Sequence, residues 1–462
     1  MIALEKIDQL LNFSSNNTNL DFQNFKIHDK KKVWVEAFGC SANIADAEII
    51  KGILYSNGYD LTSSRRNSDI NILVTCAVKD ATEHKMISRI KKYSKEKPLV
   101  VAGCLPKTSK KLVESFSPDS SLLGPQSLDK TLDVVDASLS GKKVVALENT
   151  MATKVNLPRI RLNPVVSIIE ISSGCLSECS FCQTKLAKGT LKSYRIGEVV
   201  RQMEADVVAD CKEFWLTSTD NGCYGLDLKT DLVELLEKCS KVEGEFKIRV
   251  GMMNPMYIPK FLDRLISIYR NNEKIFKFLH IPVQSGSERI LRKMKRGHTT
   301  KIFLDVVKEF RKKIPEMTIA TDIITGFPSE TESDFEQTLS LIEETQPDVV
   351  NSSRYSARPG TVASKYPKLD MNIIKDRSVR LHEAIKKTTL RRNRNWCGWK
   401  GKILIDELLD DDKIQGRNYA YRPVIIDSKG LKKLDSKRSL GDYLSVKVVE
   451  ISNYSLLGEL IF

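Results

Sequence analysis

The chain has 462 residues, 41% hydrophobic and 29% charged, with 73 Lys plus Arg against 59 Asp plus Glu and a formal net charge of +14. This supplies apolar material for about three packed domains, excludes a disordered or collagen-like chain, and points to a polyanionic partner, RNA or DNA first. No apolar run approaches the ~18 residues that span a bilayer and Met1–Asn17 lacks a secretory apolar segment, so a cytoplasmic protein with no membrane partner is expected, its ten cysteines serving metal, catalysis or packing rather than disulfides.

Residues 1–30 are polar and read as a weakly ordered extension. Val33–Phe38, Ile70–Thr75 and Leu99–Ala102 are short β-branched or apolar runs, each followed by a helical pattern: Ala45–Ser56, Thr82–Tyr93 and Leu128–Ser138. Strands alternating with helices predict a doubly wound parallel α/β domain over 31–150. A Pro-containing, basic stretch, 149–163, reads as a linker. Six further strand patterns follow, at Val165–Ile171, Glu213–Thr217, Lys247–Gly251, Phe276–Ile281, Thr318–Ile324 and Asp348–Tyr355. They predict a partial (β/α)6 barrel within 160–396, with chemistry on the loops at its C-terminal strand ends. From residue 398 to 462 the pattern changes to short strands, at Lys402–Ile405, Tyr421–Ile426, Leu444–Val449 and Leu456–Phe462. That predicts a small antiparallel β-barrel of a kind often used for RNA.

Cys175-Leu-Ser-Glu-Cys179-Ser-Phe-Cys182 follows the first barrel strand directly. Three thiolates on one short loop can hold three irons of a [4Fe–4S] cluster and leave the fourth open to a small molecule; a zinc loop or chance clustering is the alternative. Cys40, Cys76 and Cys104 each end a predicted strand of the N-terminal domain. In a parallel sheet such ends share one edge, where ligand crevices form. Alone, a strand-end cysteine is usually a small buried hydrophobe; beside the first triad, these three read as ligands of a second [4Fe–4S] cluster that could carry a sulfur species. Cys211, Cys239 and Cys397 read as packing residues, and Cys223 as incidental.

The Cys175–Cys182 loop resembles that of the radical S-adenosylmethionine enzymes. The resemblance implies that the open iron chelates S-adenosylmethionine, whose reductive cleavage yields a 5′-deoxyadenosyl radical. It also gives Phe181 a place beside the adenine. Two cysteine triads, a C-terminal β-barrel like the TRAM domain, and the motifs Phe38-Gly39-Cys40, Ala102-Gly103-Cys104-Leu105-Pro106, His280-Ile-Pro-Val-Gln284-Ser-Gly286-Ser, Thr325-Gly-Phe-Pro328-Ser-Glu330-Thr and Tyr355-Ser-Ala-Arg358-Pro-Gly360-Thr are together similar to the methylthiotransferases. Ile160-Arg161-Leu-Asn163-Pro164, Trp215-Leu-Thr-Ser218-Thr-Asp220 and Gly251-Met-Met-Asn254-Pro255 resemble the eukaryotic and archaeal branch acting on threonylcarbamoyladenosine in tRNA. Ser329, Cys223 and Asp220-Asn221-Gly222 depart from that pattern without removing a cysteine ligand.

Among other candidates, Asp220 either holds the ammonium of bound S-adenosylmethionine or caps a turn. Arg249, Asn254, Gln284 and Ser285 are polar groups at or near strand ends and are expected to touch cofactor or substrate; Arg249 is alternatively paired within the wall. Gly326-Phe-Pro328 resembles the family's adenine-side turn, or is simply a turn. His280, with no partner in sequence, reads as structural. Basic stretches at Arg289–Lys313 and Lys375–Arg394 either follow a phosphate backbone or are solvated helix faces. Tyr419, Tyr421, Trp396 and Trp399 either stack on bases or pack the small barrel. The expected activity is 2-methylthiolation of N6-threonylcarbamoyladenosine at position 37 of tRNA, with the anticodon stem-loop, an unidentified electron donor and an unidentified sulfur source as partners. Isopentenyladenosine tRNA, a ribosomal protein, or a non-catalytic iron–sulfur RNA-binding role are the alternatives.

Overall fold

The computed structural model describes residues 31–76, 80–150, 153–409, 413–427 and 440–461; the expected polar extension, 1–30, lies outside the described residues. The chain divides into two compact units. One runs to Pro164 and takes in Gln183–Gly189; the other holds Val165–Cys182 and the chain from Thr190 on. Among the described residues no helix is long and apolar enough to cross a membrane.

The first unit comprises β1 (Lys32–Ala37), α1 (Ser41–Ser56), β2 (Asp60–Leu61), β3 (Ile70–Thr75), α2 (Asp80–Tyr93), β4 (Leu99–Gly103), α3 (Cys104–Thr108), α4 (Lys110–Phe116), β5 (Ser121–Leu123), α5 (Thr131–Leu139), β6 (Val145–Ala146) and α6 (Gln183–Lys188). Its strands form one sheet in the order β2-β1-β3-β4-β5-β6, every pair parallel. Helices cover both faces of such a sheet, which is why β3 and β4 are buried from end to end. Alternation sorts the side chains. Ile72, Val74, Val100 and Ala102 meet Ile49, Ile50 and Leu54 of α1 and Val134 and Val135 of α5. Leu73, Leu99 and Val101 meet Ile90 and Tyr93 of α2 and Val113 of α4 on the other face. Strand order reverses between β1 and β3, and the C-terminal ends of strands at such a switch point open a crevice. The stretch expected as a linker is docked on α1 where it is described. Ile160 N–H donates to Glu48 O (3.0 Å) and Leu162 N–H to Glu48 Oε1 (2.9 Å). Buried Lys154 pairs with buried Asp46 at 2.6 Å.

The second unit opens with β7 (Val166–Glu170), β8 (Ser172–Ser173) and β9 (Lys192–Ser193) and continues through α7 (Ile196–Val208), β10 (Glu213–Thr217), α8 (Leu232–Cys239), β11 (Lys247–Val250), α9 (Leu262–Asn271), β12 (Phe278–His280), α10 (Glu288–Met294), α11 (Thr300–Lys313), β13 (Thr318–Thr325), α12 (Glu332–Thr345), β14 (Val349–Arg354) and α13 (Met371–Arg394). Strands β7, β10 and β11 form one parallel set, β12, β13 and β14 another. A parallel bridge between Ile248 and Ile275 joins them. This is the expected partial (β/α)6 barrel. Beyond it, β15 (Lys400–Leu408), β16 (Lys413–Arg417), β17 (Pro423–Asp427), β18 (Tyr443–Ile451) and β19 (Leu456–Leu460) close a small barrel in the order β15-β16-β17-β19-β18. One of its pairs, β17 with β19, is parallel. Strand β16 escapes sequence reading because Lys-Ile-Gln-Gly-Arg offers one apolar side chain and no alternation.

The basic helix α13 is matched by acidic α12. Arg380 pairs with Glu332 (2.6 Å), Arg391 with Glu343 (2.7 Å) and Arg392 with Asp348 (3.0 Å). Buried Arg377 reaches the Glu330 carboxylate at 2.9 Å, and Glu330 in turn accepts the Gly326 N–H at 2.9 Å. Burial pushes the Glu330 pKa up, with the Gly326 amide and Arg377 opposing. Arg377→Ala strands this carboxylate without its cation, and the expected loss of stability is about 3–5 kcal/mol. Chemical denaturation checks it; an unchanged midpoint refutes it.

Candidate active site

Gly174, at φ 73°, turns the chain out of the barrel wall into the cysteine loop. Cys175 is buried, Cys179 and Cys182 are half-buried, and all three are free thiols. The loop is held from below and from the side. Ser177 N–H donates to Cys175 Sγ (3.3 Å), Ser180 N–H to Met294 O (2.9 Å) and Ser180 Oγ–H to Lys293 O (2.8 Å). Arg296 donates through Nη1 to Cys179 Sγ (3.3 Å) and through Nη2 to Pro282 O (2.8 Å). Burial raises the Cys179 pKa while Arg296 opposes it. Sequence reading placed Arg296 in a basic run that either follows a phosphate backbone or is a solvated helix face. It is instead 6% exposed and committed to the loop.

Asp220 both caps its turn and faces the cysteines. Oδ1 accepts the N–H groups of Gly222 (3.0 Å) and Asn254 (2.9 Å), while Oδ2 lies 3.9 Å from Cys175 Sγ. Burial, then the neighbouring Cys175, pushes its carboxyl up to about 7. Cys223 is closer to the chemistry than its sequence context suggested: the ligand atoms of Cys175, Asp220 and Cys223 all lie within 4.8 Å of one another. The hydrogen bond to Cys175, then burial, drives its thiol far above the ordinary range. Asn254 is a strut rather than an open contact. Its amide donates to Ser177 Oγ (3.2 Å) and Arg296 O (3.4 Å), and Oδ1 meets His298 Nδ1 (3.1 Å) and the Met256 N–H (3.3 Å). His298, buried beside Arg296, has its pKa lowered to about 3 by desolvation first and that charge second, so it stays neutral.

Phe181 packs edge-on against Phe327 at 6.4 Å, which brings it beside the Gly326 turn. Gly326 itself, at φ 76°, leaves space that Ile374 of α13 fills: a Cβ there would stand 2.6 Å from Ile374 Cγ1. Gln284 also has a left-handed backbone, φ 74°, and its N–H and C=O pair with Asp322 O (2.8 Å) and Ile324 N–H (2.9 Å) of β13.

Two expected contacts point elsewhere. Ser285 is fully buried, its hydroxyl 3.5 Å from Thr338 of α12 and 3.2 Å from the Ser287 N–H, because Gly286 lets the turn lie against the α12 backbone. Arg249 stacks on Trp215 (5.3 Å), Phe278 (5.2 Å) and Tyr421 (5.3 Å), so its alternative, a partner within the barrel, is the observed one. The aromatics considered for base stacking are packed too. Trp396 meets Trp399 and Tyr419, each at 5.8 Å, and Tyr421 meets Phe276 at 4.8 Å. Cys211 and Cys239 are buried as expected, whereas Cys397 is exposed.

In the first unit, Cys40 follows β1, Cys76 follows β3 and Cys104 begins α3. Asn43 knits the two strand ends together, donating to Phe38 O (2.8 Å) and Thr75 O (2.9 Å). Its Oδ1 takes both the Cys40 and Cys104 thiols at 4.0 Å. Cys76 lies against Gly39, where φ is 111° and a Cβ would sit 2.8 Å from Cys76 Sγ. Burial pushes the Cys104 thiol up to about 12; Lys188 opposes this, and Cys40 and Cys76 reinforce it. The three thiols therefore converge at the switch-point crevice, as a three-thiolate cluster requires. Gly39→Ala forces a β-carbon into this contact at a backbone angle that alanine avoids. The expected cost is on the order of 2–4 kcal/mol. Urea denaturation of the variant checks it, and a loss below ~0.5 kcal/mol refutes it.

Residues 169–342 match the family model "Radical SAM superfamily", and residues 32–124 match "Uncharacterized protein family UPF0004". The chain is 40% identical over 435 residues (93% of this chain, 98% of the relative) to a probable threonylcarbamoyladenosine tRNA methylthiotransferase of Archaeoglobus fulgidus. It is 35% identical over 443 residues (93% and 78%) to the threonylcarbamoyladenosine tRNA methylthiotransferase of Drosophila melanogaster. A solved radical S-adenosylmethionine methyltransferase, TsrM from Kitasatospora setae, with cobalamin and a [4Fe-4S] cluster bound, has a similar fold (TM-score 0.54, 12% identity, 73% of this chain and 74% of that chain). A three-cysteine loop at the mouth of a partial barrel, and relatives that align along nearly the whole length, place this chain in the radical S-adenosylmethionine superfamily, in the family of threonylcarbamoyladenosine tRNA methylthiotransferases.

Proposed function

We propose that this protein converts N6-threonylcarbamoyladenosine at position 37 of tRNA, next to the anticodon, to its 2-methylthio derivative, in the cytoplasm. The observation that carries the reading is the presence of two cysteine triads, one on the loop after β7 and β8 and the other at the C-terminal ends of β1, β3 and β4, in a chain of this family. Cys175, Cys179 and Cys182 would hold one [4Fe–4S] cluster, and Cys40, Cys76 and Cys104 a second. With S-adenosylmethionine bound, the first cluster would supply the electron that cleaves it to a hydrogen-abstracting carbon radical, the second would present the sulfur, and a further S-adenosylmethionine would give the methyl group.

The protein's own groups place and insulate these parts. Arg296 sets a cation against Cys179, which offsets the anionic charge of thiolate ligands. Asp220 presents one carboxylate oxygen beside Cys175, where a ligand's ammonium would find it. Phe181 and Phe327 form an apolar wall suited to a flat heterocycle. Asn254 locks the loop to the turn after β11, so these groups keep their spacing. The small barrel β15–β19, read as TRAM-like, together with exposed Lys375, Lys386 and Arg394 of α13, would meet tRNA phosphates. A one-electron reductant and a sulfur donor complete the partners. Nucleoside mass spectrometry of tRNA from a deletion strain tests the reading. 2-Methylthio-N6-threonylcarbamoyladenosine should disappear while its unthiolated precursor accumulates; an unchanged level of the methylthio nucleoside refutes it.

A further inference from the structure

His280 ends β12 without any partner nearby in sequence, yet the fold gives it one. Its Nε2 lies 3.0 Å from Asp322 Oδ1, and Asn351 Nδ2 donates to the same oxygen at 2.8 Å. Register puts these groups on one face. Ala320 pairs with His280 and Asp322 with Asn351, and Phe278, on the same face of β12, carries the Arg249 stack. The face is the barrel interior, since intervening Leu279, Ile319 and Ile323 are buried on the helix side. Burial opposes ionisation of Asp322, but the hydrogen bonds from His280 and Asn351 and the nearby Arg296 outweigh it and hold the carboxyl below its ordinary range. An ionised carboxylate only accepts, so His280 Nε2 carries hydrogen. The side chains of His280 and Asp322 remain 15% and 29% exposed, so the dyad faces open space inside the barrel. Among the described residues, no hydrogen bond reaches His280 Nδ1 or Asp322 Oδ2.

We infer that His280, oriented by Asp322 and Asn351, accepts the N6–H of the substrate adenine at Nδ1 and so fixes the carbon that loses hydrogen. This rests on the tRNA reading above and names the part of the site that reads the base. The chemistry favours the heterocycle over the threonyl end of the nucleotide. With hydrogen on Nε2, Nδ1 is an acceptor, and the base offers it the in-plane N6–H, whereas the threonyl carboxylate has no hydrogen to give and would be repelled by Asp322. Asp322 and Asn351 are positioning residues. Their hydrogen bonds are to one another, and Arg296 near Asp322 keeps its own bonds to Cys179 and Pro282, so removing them should leave cluster and cofactor chemistry intact.

The test uses the full-length, reconstituted enzyme and an anticodon stem-loop carrying N6-threonylcarbamoyladenosine. Wild type, His280→Gln, Asp322→Asn and Asn351→Ala are compared for iron content, for 5′-deoxyadenosine made without RNA, and for methylthio product per deoxyadenosine made with RNA. Transfer of deuterium from C2-deuterated substrate to deoxyadenosine is followed alongside. The first two quantities should be unchanged. Coupling and deuterium transfer should fall about 100-fold in His280→Gln, since ångström misplacement costs that much, and about 10-fold or more in Asp322→Asn. Apo-protein of His280→Gln should also discriminate less between modified and unmodified stem-loop in an anisotropy titration. Variants as well coupled as an active wild type overturn the inference. So does loss of RNA-independent deoxyadenosine formation in folded Asp322→Asn and Asn351→Ala, which would assign the dyad to the cofactor. A wild type that cleaves S-adenosylmethionine but never modifies this RNA overturns the substrate reading instead.

Discussion

Replacing Cys175, Cys179 and Cys182 with alanine is expected to reduce the iron of anaerobically reconstituted protein from about eight to about four per chain, if each triad builds one four-iron cubane. It should abolish dithionite-dependent formation of 5′-deoxyadenosine. The reason is local. The loop supplies three thiols within eight residues, and no other part of the second unit offers three together among the described residues. Cys223 is a further thiol near them, but Cys175 and Asp220 are the groups it meets. The variant also leaves Arg296 without its sulfur acceptor while the guanidinium keeps its Pro282 bond. The stability cost should therefore stay near the ~1–3 kcal/mol of one unmet buried donor, and circular dichroism should report a folded chain. Deoxyadenosine formation at wild-type rate would refute the assignment of the loop.

The companion variant, Cys40, Cys76 and Cys104 to alanine, separates the two centres. Iron should again fall to about four, but deoxyadenosine formation should survive while methylthio product is lost. The geometry behind this is the convergence on Asn43 and Gly39 at the β1–β3 switch point. These thiols come from three different strand ends of the first unit. Full iron content in this variant, or product formed at the wild-type rate, would show that the three thiols are packing residues after all. Loss of about four irons together with retained deoxyadenosine and lost product is the pattern that a second, separately held centre gives.

Much of the architecture could be read before folding. Parallel strands buried on both faces are continuous apolar runs, and the helices between them carry the longer period, so both α/β arrays were legible, whereas the short β2 and β5 and the order of strands in the sheets were not. Both triads were legible as well, for different reasons. Cys175, Cys179 and Cys182 are neighbours in sequence, and no tertiary information is needed to bring them together. Cys40, Cys76 and Cys104 are far apart, but the rule that parallel strand ends share an edge predicts their meeting. The small barrel was only partly legible, because β16 has a single apolar side chain and leaves no alternation to detect.

What the sequence by itself determined, then, is where the cysteines of the two triads stand. Covalent spacing and strand polarity are local properties, and each cysteine inherits its place from them. What only the tertiary structure decided is which polar side chains serve the site and which serve the scaffold. Arg296 reaches Cys179 across 117 residues, and His280 finds Asp322 across 42. Arg249 and Ser285, equally near strand ends, turn away into an aromatic stack and a helix contact. A side chain's partner depends on the register between strands and on which face it occupies at that height in the barrel. A single sequence constrains the face by parity but leaves the register, and therefore the partner, to packing.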